Sequence, residues 1–285
     1  MSKITDLIKE LRNKTGAGFL DCKNALEENK NNIDEAVEFL RKKGLAKASK
    51  KTSREANEGA IGIYNNENKL AIIKVNSETD FAAKSDTFLN FLDELGKIAL
   101  SSDNPNLNKD EFLKLKLDKI VVADFINNMI AKIGENLILS DLIILKNDKS
   151  YNSFYIHNSY SKNIGKIISL INYESNKNDE KIKSLSKNLC MHVAAMKPES
   201  IDISDLDKAI IEKEERIQRE LILSSGKPSN IADKILEGKM SKFFSEVTFL
   251  NQKFILDQDK TVKEIVNEYQ KDYNYNILSF KIVNL

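Results

Sequence analysis

Asn76-Ser77-Glu78-Thr79-Asp80-Phe81 is the stretch on which the reading of this chain turns. The run before it, Leu70-Ala71-Ile72-Ile73-Lys74-Val75, is apolar and rich in β-branched residues, the pattern of a buried strand. After it, Phe88, Leu89, Phe91, Leu92, Leu95, Ile98 and Ala99 recur at helical spacing. Thr79 and Asp80 are good helix-entry residues, so a strand-to-helix turn is predicted. Phe81 at its tip has two readings. It packs under its own helix, as buried Phe usually does, or it is presented outward as an anchor for another protein.

The chain of 285 residues is long enough for more than one core. With 31% charged and 41% hydrophobic residues, it has the balance of a soluble globular protein. No apolar run approaches the roughly 18 residues of a membrane span. Met1 to Asp6 lacks the apolar core of a signal peptide. Cys22 and Cys190 each sit in an apolar helical pattern and read as reduced core thiols of a cytoplasmic protein. The net charge is +1 with both signs interspersed, which argues against a general grip on nucleic acid. His157 and His192 are the only histidines, and no Cys/His/Asp cluster has metal-ligand spacing. Neither metal nor cofactor is expected, and neither a membrane nor a direct nucleic-acid partner.

Outward from the opening stretch, the period of the apolar residues divides the chain. Residues 1–52 hold three short helical patterns. Their apolar faces are Ile4, Leu7, Ile8 and Leu11; Phe19, Cys22, Ala25 and Leu26; and Ile33, Ala36, Val37 and Leu40, with Gly44 as the expected stop. Thr15-Gly16-Ala17-Gly18 reads as a tight helix–helix turn, since no strand precedes it and no Gly-Lys-Ser/Thr follows. Residues 45–58 are lysine-rich and poor in apolar side chains, a linker or a solvated helix. Residues 53–147 change to β period, with a hairpin over 60–75 turning at Asn65–Asn68. A polar loop containing Pro105, one helical stretch over about 109–134 ended by Gly134, and a strand over 137–145 follow. Residues 148–204 repeat the hairpin-plus-helix shape, but without Thr-Asp-Phe. Within 205–248, Leu206, Ile210, Ile217 and Leu221 form a narrow stripe, Ser225-Gly226-Lys227-Pro228 breaks it, and Ile231, Ile235, Met240, Phe243 and Val247 stripe the return. That is the pattern of two antiparallel helices forming an arm. Residues 249–285 supply further strands, over 250–256 and 277–283, and a helix over 262–269. The fold class predicted is α+β, with antiparallel sheets backed by helices.

Several motifs follow one another along the chain: Thr15-Gly16-Ala17-Gly18 with Asp21-Cys22-Lys23, Leu40 to Gly44, Glu78-Thr79-Asp80-Phe81 and Ile133-Gly134-Glu135-Asn136. His192-Val193-Ala194-Ala195 with Lys197-Pro198, Ser225 to Pro228 and Glu237-Gly238-Lys239-Met240 complete the set. In this order they resemble the motifs of bacterial elongation factor Ts. The resemblance implies a ubiquitin-associated-type N-terminal bundle that docks, a two-subdomain core and a protruding coiled-coil arm. It implies a cytoplasmic translation elongation factor that promotes exchange of GDP for GTP on elongation factor Tu, without covalent chemistry and hence without catalytic residues. Thr79, Asp80, Phe81 and Ala82 match the family's wedge, which enters near the nucleotide and magnesium of the partner. Phe19, Leu20 and Lys23 match its docking surface, with a place in the bundle core as the other reading of Phe19. His192 matches a partner-facing position, with a satisfied structural histidine as the alternative. Ala82 stands where the family pattern usually has Val, and Lys84-Ser85 also departs from it. Some relatives carry a further helical module where this sequence stops, so a smaller interface is expected. The arm has two open uses, self-association or contact with the partner. The competing function is a helical adaptor without exchange activity, which has no need of the Thr-Asp-Phe turn. An enzyme is the weakest reading, since no nucleophile–base pair can be assembled.

Overall fold

The computed structural model describes residues 3–15, 17–49, 51, 53–67, 69–104, 106–117, 120–146, 150–225 and 229–285. Gly16, Asn68, Pro105 and the Gly226-Lys227-Pro228 break lie outside them, as do Thr52, Asn147 and Asp148 at the expected boundaries. The chain mixes helices with antiparallel sheet and divides into two units. The first comprises residues 1–146, 158–166 and 285; the second comprises 147–157 and 167–284.

The first unit opens with helices α1 (Lys3–Thr15), α2 (Phe19–Glu28) and α3 (Ile33–Ser49). Ile8, Leu11, Cys22, Ala25, Leu26 and Ala36 form their shared core. Strands β1 (Glu58–Asn65) and β2 (Lys69–Ser77) follow as an antiparallel hairpin. Then come α4 (Asp80–Ala83), α5 (Asp86–Ser101), α6 (Lys109–Lys114), the short strands β3 (Lys116–Leu117) and β4 (Ile120–Val121), and α7 (Val122–Ile133). Strand β5 (Leu137–Lys146) pairs with β2, again antiparallel. Phe88, Phe91, Leu92 and Leu95 of α5 join Ile126, Met129 and Ile130 of α7 in a core over Ala71, Ile73 and Val75.

Two expectations fail here for tertiary reasons. The stretch 109–134 is not one helix, because Leu115 is extended and accepts a hydrogen bond at 2.9 Å from the Val122 N–H, closing a small hairpin. Gly44 does not stop α3, which continues to Ser49. A Cβ at Gly44 would stand 3.1 Å from the Ala131 Cβ of α7, so the glycine serves close helix approach instead.

The second unit contains the body of a second hairpin, β6 (Tyr151–Ser159) with β7 (Ile164–Glu174), whose tip over 158–166 falls in the first unit. Helix α8 (Glu180–Met196) follows, then α9 (Lys208–Ser224) and α10 (Ser229–Val247). Strands β8 (Lys253–Phe254) and β9 (Asp257–Thr261), helix α11 (Val262–Tyr273) and β10 (Asn276–Asn284), paired antiparallel with β7, complete it. Only two residues of the expected 250–256 strand are β. Phe249–Asn251 is a single 3-10 turn held by Thr248. Cys190 is buried, and burial pushes its thiol up to about 12.

The stripe on α9 also differs from expectation. Ile211 and Ile222 pack against Leu236, Met240 and Phe243 of α10, while Ile210, Ile217 and Leu221 are exposed. One residue along a helix is about 100° around it, so a shift by one changes the buried face. Arg219 reaches Asp233 at 3.3 Å and Lys239 reaches Gln218 at 2.7 Å along the same seam. Among the described residues no helix is long and apolar enough to cross a membrane.

Tyr64 shows how closely the first core is fitted. Its hydroxyl donates to Asp93 at 3.0 Å, and its ring lies against two glycines. A Cβ at Gly96 would stand 2.3 Å from the ring, and one at Gly62 would stand 2.5 Å from the hydroxyl oxygen. Gly96→Ala is expected to destabilise the first unit. Overpacking costs about 1–3 kcal/mol, more than the helix-propensity gain of up to about 1 kcal/mol. A lower urea midpoint than wild type checks this, and an equal or higher one refutes it.

Candidate functional site

The turn after β2 is built by short polar side chains. The Asn76 amide donates to the Glu58 carbonyl at 2.9 Å, and the buried Ser77 hydroxyl donates to the Thr79 carbonyl at 2.9 Å. Thr79 is the N-cap of α4 in an extended conformation, and its Oγ1 accepts from the Ala82 N–H at 3.2 Å. Helix α4 has only four residues, because Ser85 already caps α5 by accepting from the Phe88 N–H at 3.2 Å. Ser85 also donates to the Ala82 carbonyl at 2.8 Å, so the two caps are tied together.

On this single turn Ala82 and Ala83 face inward and are buried. Phe81 faces outward and is 84% exposed. Asp80 pairs with Lys84 at 2.6 Å, and that charged hydrogen bond holds the Asp80 carboxyl below its ordinary range. Lys84 in turn lies over the Tyr160 ring, 5.8 Å from its centroid. A Phe side chain left in water forgoes about 1.5–3 kcal/mol of burial. The fold places Phe81 there with ordered neighbours on both sides.

The base of the turn is gripped from the loop after α7. Gly134 ends α7 in the left-handed region at φ 89°, and its N–H bonds back to the Ile130 carbonyl at 2.9 Å. The next residue, Glu135, accepts from the Thr79 N–H at 2.9 Å through Oε2 and from the Thr79 hydroxyl at 2.7 Å through Oε1. Glu78 answers by accepting from the Asn136 N–H at 2.7 Å. Asn136 donates to the Arg54 carbonyl at 2.8 Å, and Arg54 lies 3.4 Å from Glu78. Lys51 donates to the Gly134 carbonyl. The sequence motif contains Glu135 and Asn136 but does not by itself assign them a role. The available signal was a carboxylate directly after a helix-stopping glycine.

On α2, Lys23 follows Phe19 by four residues and Leu20 by three, the spacings that bring side chains together. Cys22, Ala25 and Leu26 of the same helix are buried in the bundle core. Phe19 is 49% and Leu20 71% exposed, and Lys23 makes a loose pair with Glu27 at 3.7 Å. Phe19 is therefore not a core residue of the bundle. Among the described residues no cluster of His, Cys, Asp and Glu could hold a metal ion.

His192 requires a correction. It lies in the second unit and is fully buried, so it presents no surface to a partner. Its Nδ1 accepts from the Ile255 N–H at 3.3 Å, which leaves the ring proton on Nε2 to donate to Gln252 Oε1 at 2.9 Å. The Gln252 amide donates onward to the Glu246 carbonyl at 2.7 Å. Phe249 and Phe254 stand beside the ring, at 5.5 and 5.8 Å between centroids. Burial holds the His192 pKa below its ordinary 6.5, against a smaller opposing effect of the Gln252 bond. Because the folded pKa is the lower one, the unfolded chain takes up this proton first. The stabilising contribution is complete above about pH 6.5 and falls away as pH drops below it. The expected outcome is a urea midpoint that falls between pH 7.5 and 5.5 more steeply in wild type than in His192→Gln; parallel slopes refute it.

Comparison with known proteins places the sequence in a family. The model of the family "Elongation factor TS" matches residues 78–285, beginning at Glu78 of this turn. The chain is 40% identical over 277 residues to elongation factor Ts of Rickettsia felis, covering 97% of this chain and 89% of that protein. It is 40% identical over 278 residues to that of Rickettsia prowazekii, with the same coverage. It is 38% identical over 271 residues to that of Sinorhizobium fredii, covering 95% and 88%. The chain belongs to the elongation factor Ts family of translation elongation factors.

Proposed function

We propose that the protein promotes release of GDP from elongation factor Tu and its replacement by GTP, with Thr79 to Ala82 as the turn that enters the nucleotide site. The observation that carries this reading is Phe81, 84% exposed on a one-turn helix whose other contacts are buried and paired. No bond of the nucleotide is broken, so no catalytic group is assigned, and the reading makes the protein no enzyme of covalent chemistry. The mechanism is linkage. A factor that binds the empty partner more tightly than the loaded one weakens GDP binding by the same factor. Each tenfold loss of nucleotide affinity requires about 1.4 kcal/mol of coupling. Burying Phe81 in the partner supplies part of that, and Asp80 brings a charge already ordered by Lys84.

Phe19, Leu20 and Lys23 are the proposed docking surface. The proposal divides the chain into a ubiquitin-associated-type docking domain (1–52), a core subdomain with the wedge (53–147), a second core subdomain (148–204 with 249–285) and a coiled-coil arm (205–248). The exposed Ile210, Ile217 and Leu221 leave that arm an apolar strip for the partner or a second copy. The reading places the protein in the cytoplasm, where translation runs. The adaptor reading gains nothing from an exposed Phe81.

Stopped-flow release of a fluorescent GDP analogue from elongation factor Tu tests the proposal. Catalytic amounts of the protein are expected to accelerate release, and no acceleration overturns the reading. Phe81→Ala is expected to lower the release rate at saturation by about tenfold or more, the scale of an interface anchor. Leu20→Ala is expected instead to raise the concentration needed for half-saturation, leaving the saturated rate within about twofold.

A further inference from the structure

We propose that Glu135 is a positioning residue for the Phe81 wedge, its carboxylate setting the direction in which the aromatic points. The inference rests on the exchange reading above and adds to it a residue that touches neither partner nor nucleotide. A four-residue helix cannot sustain itself, since nucleating one turn fixes several dihedrals for one hydrogen bond. The bonds α4 closes are few: Ala83 N–H to the Thr79 carbonyl at 3.3 Å and Lys84 N–H to the Asp80 carbonyl at 3.1 Å. What remains is the Thr79 cap, and that cap works only if the hydroxyl is turned correctly. Its lone pair must face the Ala82 N–H, so its proton must go elsewhere. Glu135 Oε1 takes it, at 2.7 Å, and Oε2 takes the Thr79 N–H. Both oxygens of one carboxylate thus fix the residue two places before Phe81.

Glu135 is itself placed by the Gly134 reversal at the end of α7 and by the Asn136 N–H that Glu78 holds. The wedge therefore takes its direction from α7, across 56 residues of sequence. Loss of Glu135 leaves the two loops joined through Glu78, Asn136 and Arg54. Its removal frees the turn while the fold persists.

The chain contains no tryptophan, so Phe81→Trp places a single fluorescent reporter on the turn. Glu135→Gln keeps the size but sets an amide donor against one of the two Thr79 donors. In the Phe81→Trp background, Glu135→Gln is expected to lower the anisotropy of Trp emission while the urea midpoint stays close to the parent's. In the otherwise wild-type chain it is expected to lower saturated GDP release about fivefold or more, with little change in half-saturation, the scale of one or two charge-assisted hydrogen bonds. In a Phe81→Ala background it is expected to have no further effect on release. A purely structural role would lower release in both backgrounds alike. Unchanged anisotropy, or equal losses in the two backgrounds, overturns the inference. If Glu135→Gln does not fold, Thr79→Val removes the hydroxyl alone, and unchanged anisotropy there overturns it equally. If Phe81→Ala leaves release untouched, Phe81 is removed from the exchange mechanism, and the anisotropy comparison still decides whether Glu135 aims the turn.

Discussion

Two backbone N–H groups, those of Thr79 and Asn136, lie at partly buried turns where neither helix nor strand can satisfy them. Each is bonded by a carboxylate from the other turn, Glu135 for Thr79 and Glu78 for Asn136. An unpaired buried N–H costs about 1–3 kcal/mol, so each turn depends on the carboxylate that the other supplies. Much of the first unit follows from this exchange of partners. It fixes where β2 ends, where β5 begins and how α4 leaves the sheet. A turn so held can keep an aromatic in water, because a rotation of α4 that buried Phe81 would break the Thr79 bonds.

The strand-helix plan around this turn was legible because each signal there is local. β2 follows from its β-branched run, α4 from the Thr79 cap and the end of α7 from Gly134. Phe81 was not legible from its residue type, since burial and exposure are both ordinary for Phe. Its exposure follows from the closeness of two caps, Thr79 and Ser85, which makes the helix too short to cover it.

The readings that failed depended on distant neighbours. Gly44 reads as a stop unless Ala131 is known to press against it. The 109–134 stretch reads as one helix until the Leu115 carbonyl pairs with Val122. On α9 the apolar residues 210, 211, 217, 221 and 222 are compatible with two adjacent faces, and only Leu236 and Met240 choose between them. His192 has the same cause. Its motif gives a histidine but not the Ile255 N–H and Gln252 that occupy both ring nitrogens.

On the proposed exchange reading, a division of labour between surfaces follows from the energies. A wedge that reaches a nucleotide site must be small, and one aromatic supplies only a few kcal/mol. Lowering nucleotide affinity by several powers of ten requires more than that. The remainder must come from surfaces that bind the partner whether or not the nucleotide has left, and such surfaces do not themselves discriminate between the two states. Phe19 and Leu20 suit that part, since both stay exposed beside the bundle core. Phe81 suits the other, since a rigid turn loses little entropy on entering a site and its contacts exist only when the site has opened. On the proposed reading, docking energy without the fixed turn would hold the loaded and empty partners alike, and coupling would require Glu135 and Glu78 to keep Phe81 from yielding first.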